Sequence, residues 1–143
     1  MTLVDTNVLL DLVTDDPAWA RWSMAQLEAA SLAGPLHIND IIYAELAVRY
    51  ALVEELDKLV AGLGLVHIAM PRGALFLAAK AFQRYRKAGG TRTGVLPDFF
   101  IGAHAAVLNL PLLTRDRQRY DSYFPTIELI APPKEPPGGP ATG

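Results

Sequence analysis

The stretch Thr2-Leu3-Val4-Asp5-Thr6-Asn7-Val8-Leu9-Leu10 decides how the chain begins to fold. Thr2 to Val4 reads as a short buried strand. Thr6 and Asn7 then start a helix that runs through about Val13. Between the two apolar runs stands one carboxylate, Asp5. Carboxylates seldom sit beside a core unless they are paired or bind a cation. Asp5 is therefore both the hinge between two elements and a burial anomaly.

Working outward, the same alternation repeats. Asp15 or Asp16 caps a second helix, with Pro17 in its first turn and apolar residues at Trp19, Trp22, Met24 and Leu27. It stops near Gly34-Pro35, and Leu36 to Ile38 is a second strand. Asn39 or Asp40 caps a long helix to about Gly62, apolar at Ile41, Tyr43, Ala44, Val48, Leu52, Leu56 and Leu59. Leu65 to Ala69 reads as a third strand, and a helix from Pro71 stops at Gly89-Gly90. Pro97 opens a helix from Asp98 to about Asn109. Pro111 to Thr114 is a fourth strand, a short helix runs through Tyr123, and Thr126 to Ile130 is a fifth strand. Strands alternating with helices predict an α/β fold with a mainly parallel sheet of four to five strands flanked by helices. Residues 1–131 form one domain. Residues 132–143, PPKEPPGGPATG, hold five prolines and three glycines and read as a mobile tail.

Bulk properties narrow the function. With 143 residues, 51% of them hydrophobic, the chain can build one real core. Its apolar runs are too short and too broken by charge to cross a bilayer. Asp5 comes too early for a signal peptide. There is no cysteine, which excludes disulfides and thiolate metal sites and is compatible with a cytoplasmic location. The net charge of −2 conceals an asymmetry. Residues 1–57 carry ten acids and two bases, whereas residues 58–97 carry seven bases and no acid. Such a split marks either a nucleic-acid surface or a solvated helix face.

Three further acids share the placement of Asp5. Glu45 lies on the apolar flank of its helix, Asp98 stands at a helix mouth after Pro97, and Asp116 follows the fourth strand. In open parallel sheets, sites form at the carboxyl ends of strands. Taken singly, Asp98 reads also as a first-turn acid, Asp116 as a cap and Glu45 as a flank residue. Drawn together, the four would repel one another unless a divalent cation lay between them. Oxygen-only donors suit Mg²⁺ or Mn²⁺, and such a site suits phosphoryl transfer or nucleic-acid hydrolysis.

Leu3-Val4-Asp5-Thr6-Asn7-Val8-Leu9-Leu10, Tyr43-Ala44-Glu45-Leu46, Pro97-Asp98-Phe99-Phe100-Ile101-Gly102-Ala103 and Leu113-Thr114-Arg115-Asp116 together resemble the PIN-domain ribonucleases, and within them the VapC-type toxins of bacterial toxin–antitoxin systems. The motifs come in the family's order across residues 2 to about 130. The resemblance implies a PIN-like three-layer fold and a Mg²⁺- or Mn²⁺-dependent endoribonuclease acting on RNA. It also implies a homodimer held in check by a cognate antitoxin. It assigns Asp5, Glu45, Asp98 and Asp116 to the metal and to catalysis, and Thr6, Asn7 and Thr114 to polar positions around them.

An acidic cleft repels RNA, so a cationic surface is needed beside it. Arg84, Arg86, Lys87, Arg92 and Arg115 are the candidates for RNA-backbone contacts. Aromatic stacking on bases has no clear candidate. His37, His67 and His104 read as packing or surface residues. Trp19 and Trp22 read as core or as an interaction surface. Two other classes stay in view. A haloacid-dehalogenase-like phosphatase needs a second Asp two residues after the first, and Asn7 stands there instead. A non-catalytic RNA- or partner-binding module would bind without cleaving.

Overall fold

The computed structural model describes residues 1–92 and 94–133. Its elements are β1 (Thr2–Val4), α1 (Thr6–Val13), α2 (Ala20–Ala33), β2 (Leu36–Ile38), α3 (Asp40–Ala47), α4 (Val53–Gly62), β3 (Leu65–His67), α5 (Arg72–Lys87), α6 (Leu96–Leu108), β4 (Leu112–Leu113), α7 (Gln118–Asp121) and β5 (Leu129–Ile130). The strands form one sheet in the order β3-β2-β1-β4-β5, parallel throughout. The α/β expectation holds, with five strands and seven helices among the described residues. The tail beyond Pro133 lies outside the described residues.

Short, continuous apolar strands suit the middle of a parallel sheet, where both faces are covered. β1, β2 and β4 are buried along their whole length, while edge strands β3 and β5 are partly exposed. From β1 the chain builds outward to β2 and β3, then returns to lay β4 on the other side of β1. That reversal opens a crevice at the carboxyl ends of β1 and β4. Register makes the two ends level, because Val4 pairs with Leu113. The N–H of Asp5 still bonds the carbonyl of Leu113 at 2.9 Å. Asp5 thus leaves the sheet at the crevice, with Thr114 beside it.

The expected long helix from residue 39 to 62 is two helices. Asn39, not Asp40, caps α3, accepting from the Ile42 N–H at 3.0 Å. α3 ends at Ala47, and α4 restarts at Val53 after Glu55 accepts from the Leu52 N–H at 3.1 Å. Val48 and Leu52, read as part of the apolar stripe, lie in the break and are 86% and 59% exposed. The apolar spacing persisted through the break, and the turn was invisible to periodicity.

α2 also differs. Asp16 caps a turn, accepting from the N–H groups of Ala18 and Trp19 at 2.8 and 3.0 Å, and the helix proper begins at Ala20. Its buried face is Ser23, Leu27 and Ala30, while Met24 is 41% exposed. Ser23 turns inward because its hydroxyl donates to the buried carboxylate of Asp11 at 2.7 Å. β3, β4 and β5 are shorter than their apolar runs, and α6 starts two residues early, at Leu96. Phe82, Tyr85, Phe99, Tyr123 and Phe124 form an aromatic cluster that ties α5, α6 and the segment after α7 together.

Candidate active site

Asp5 is 2% exposed at the end of β1. Its Oδ1 accepts from the Thr6 N–H at 2.7 Å, and its Oδ2 accepts from the hydroxyls of Thr114 and Tyr120, each at 2.8 Å. Burial pushes its pKa up, and these three hydrogen bonds pull it back part of the way. Glu45 reaches in from α3, where Thr6 Oγ1 donates to its Oε1 at 2.5 Å. Burial and the nearby charge of Asp5 raise its pKa as well, against the bond from Thr6.

Asp98 sits in the first turn of α6. Its pKa is raised to about 6, chiefly by burial, with the charges of Asp5, Glu45 and Asp116 adding to the rise and Arg119 opposing it. Asp5, Glu45 and Asp116 therefore each lie within electrostatic reach of Asp98. Asp116, after β4, is more open than Asp98, with its side chain 38% exposed against 16%. Thr114 Oγ1 accepts from the N–H of Asp116 at 3.1 Å and from Asn7 Nδ2 at 3.3 Å, while Asn7 Oδ1 accepts from the Arg115 N–H at 3.2 Å. Thr6, Asn7 and Thr114 thus lock β1, α3 and the loop after β4 into one polar network.

Tyr120 at this site escaped the sequence reading. Tyr120 is fully buried, and burial beside Asp5 raises its pKa well above the ordinary phenol value, so it remains a donor. Arg119 flanks Asp116 in sequence, where it reads as part of a solvated helix start or as a grip on RNA phosphates, and in the structure it reaches the acids themselves. Its Nε is 2.7 Å from Asp116 Oδ2 and its Nη1 is 3.4 Å from Asp98 Oδ1. Their spacing from Asp116 on a helical turn was the available signal. Asp11 was missed too, although it interrupts the apolar run Val8-Leu9-Leu10-Asp11-Leu12-Val13 just as Asp5 does. It is 1% exposed and accepts from Ser23 and from Arg115 Nε, the latter at 2.9 Å.

The predicted cations are placed differently. Arg84, Arg86 and Lys87 lie exposed on the last turn of α5, where positive charge complements the helix C-terminus. Arg86 covers the ring of Phe82, and Arg92 is exposed in the loop beyond. The cation that reaches the acids is Arg119. Arg115 turns away to Asp11 and lies over the ring of Trp19. His104 is buried, with Nδ1 3.0 Å from the side-chain amide of Asn39, and burial lowers its pKa. His67 pairs with Asp40 at 2.5 Å and stacks on Tyr43. Among the described residues, no three His, Asp or Glu side chains stand in an arrangement that could hold a metal ion.

The family model of the PIN domain matches residues 2–123, a span that includes all four acids. The chain belongs to the PIN domain family. No curated protein sequence matches it significantly. Among solved structures, this PIN domain is similar to one of VapBC2 from Rickettsia felis bound to a promoter DNA fragment (20% identity, TM-score 0.68, covering 91% of this chain and 97% of that one). It is similar to DNA-bound VapBC from Salmonella typhimurium (19% identity, TM-score 0.65, 91% and 96% covered). A toxin–antitoxin complex from Klebsiella pneumoniae also matches (24% identity, TM-score 0.63, 89% and 95% covered). At these identities the likeness speaks for the fold. No helix among the described residues is long and apolar enough to cross a membrane.

Proposed function

We propose that this PIN domain is a divalent-metal-dependent endoribonuclease, of the VapC type, and the toxin half of a toxin–antitoxin pair. The observation that carries the reading is the convergence of Asp5, Glu45, Asp98 and Asp116 from four separate elements onto the crevice between β1 and β4. The donor chemistry fits a hard cation: every candidate ligand is a carboxylate, and burial, with the neighbouring acids adding to it, raises Asp98 to about 6. Asp5 and Asp98 would hold Mg²⁺ or Mn²⁺, with Glu45 and Asp116 completing the set. When bound, the ion supplies charge neutralisation at a phosphodiester and activation of water for attack.

The chain's own residues supply orientation. Thr6, Thr114 and Tyr120 hold the Asp5 carboxylate in one rotamer, and Thr6 also anchors Glu45. Arg119 neutralises Asp98 and Asp116 and, with its side chain 40% exposed, would turn to a phosphate once a cation takes over those two acids. The basic patch of Arg84, Arg86, Lys87 and Arg92 would carry the RNA backbone outside the cleft. The likeness to VapBC and toxin–antitoxin complexes supports a cognate antitoxin as partner, and a homodimer acting in the cytoplasm completes the reading.

One observation favours a second reading. The acids are not gathered into a metal-holding arrangement, and a guanidinium bridges two of them. A non-catalytic RNA- or partner-binding PIN module would look the same. Mapping of cleavage sites on total RNA, with Mg²⁺ or Mn²⁺ and with EDTA, separates the two. The nuclease yields defined, metal-dependent ends that vanish in Asp5→Ala and Asp98→Ala while both variants stay folded. RNA binding in EDTA with no product in Mn²⁺ would establish the binding module instead.

A further inference from the structure

Beside the acids lies a second concavity, a cleft of ≈ 500 Å³ lined by Trp19, Arg115, Asp116, Arg117, Gln118 and the prolines after Ala131. Asp116 belongs to both cleft and acidic site, so the two are contiguous. What sets the cleft apart is how Arg115 is held. Its Nε donates to Asp11, a carboxylate 1% exposed that is itself fixed by Ser23. Its guanidinium carbon lies 5.3 Å from the centroid of the Trp19 ring. Its backbone N–H is held by Asn7. Trp19 is in turn braced edge-to-face by Trp22, with centroids 5.8 Å apart.

Arg115 is matched in charge by a buried acid and rests against an indole, which leaves little of its charge unspent for a phosphate. Yet its side chain remains 31% exposed. Asp116 on the rim further disfavours a phosphate in the cleft. A fixed, charge-matched guanidinium plane is instead a platform for a flat ring, since unstacked RNA bases stack on arginine planes as on aromatic rings. Arg117, whose guanidinium donates to the carbonyls of Ala131 and Pro132 at 3.4 Å, closes one wall, and Gln118 offers an amide at the mouth.

We propose that this cleft is a nucleobase subsite. It takes one base of single-stranded RNA, from a nucleotide next to the phosphate at the acids, in a stack of Trp19, Arg115 and base. The proposal rests on the ribonuclease reading for its substrate, and it assigns Arg115 to base contact rather than backbone contact.

The test uses Trp22→Phe in the full chain, which leaves Trp19 as the only indole. Its fluorescence is titrated in EDTA with the four nucleoside 5′-monophosphates and with ribose 5-phosphate. Saturable change with at least one nucleotide, and none with ribose 5-phosphate, supports the subsite. Equal response to ribose 5-phosphate, or no response to any nucleotide, overturns it. Arg115→Lys, added to that background, keeps a cation for Asp11 but removes the plane. It should weaken nucleotide binding about tenfold with an unchanged melting curve; unchanged binding overturns the proposal. The nuclease reading fails separately. Absence of cleavage by wild type with base binding intact removes the nuclease and keeps the subsite. Metal-dependent cleavage whose sites Arg115→Lys leaves unshifted removes the subsite and keeps the nuclease.

Discussion

Arg119 Nε lies 2.7 Å from Asp116 Oδ2, and the same guanidinium reaches on to Asp98. An internal cation therefore sits between two carboxylates assigned to a metal. It lessens their repulsion in the metal-free chain and competes with any incoming ion. Arg119→Gln should tighten Mn²⁺ binding to RNA-free protein by about three- to tenfold, read by titration calorimetry. Equal or weaker affinity would show that Arg119 does not compete for the site.

Asp98 should make metal-free stability depend on pH. Its carboxyl titrates near 6 in the folded chain against 3.8 ordinarily. Between those values the folded state keeps a proton that the unfolded state has lost. The contribution is thus full below 3.8 and lost as pH rises through about 6. The melting temperature of wild type in EDTA should fall across this window relative to Asp98→Asn. Parallel curves for the two proteins would refute the assignment.

Tyr120 should matter through Asp5. Tyr120→Phe removes one of three donors to a buried carboxylate. Urea denaturation at neutral pH should show a loss of about 1–3 kcal/mol. A change within error would mean that water replaces the hydroxyl at no cost.

Gly102 should resist even alanine. A Cβ there would stand 2.5 Å from Phe124 Cδ2, at the seat of the aromatic cluster. Gly102→Ala should cost about 1–3 kcal/mol through overpacking, seen as a lower denaturation midpoint. An unaltered midpoint would mean that Phe124 relaxes freely.

The elements and the acids were legible for one reason: each left a local mark. Short apolar runs, proline and glycine punctuation and the cap residues read out β1, β2, α5 and the α/β order. Asp5, Glu45, Asp98 and Asp116 stood out as carboxylates beside apolar segments. The break at Val48–Leu52 left no such mark, because apolar spacing continued through it. Asp11 left the same mark as Asp5, but it lies inside α1, where it caps nothing, and outside the motifs that carry the resemblance.

By itself, then, the sequence determined the α/β class, the chain's place among PIN-like folds and the four acids to examine. Only the tertiary structure decided what surrounds them. The order β3-β2-β1-β4-β5 puts the ends of β1 and β4 side by side, and residues more than a hundred positions apart meet there. Arg119 was turned onto the acids, Tyr120 onto Asp5, and Arg115 away to Asp11 and Trp19. The three lie within a few residues of one another after β4, where charge and spacing do not say which way a side chain turns. That direction is set by long-range pairing and burial, which a linear pattern does not carry.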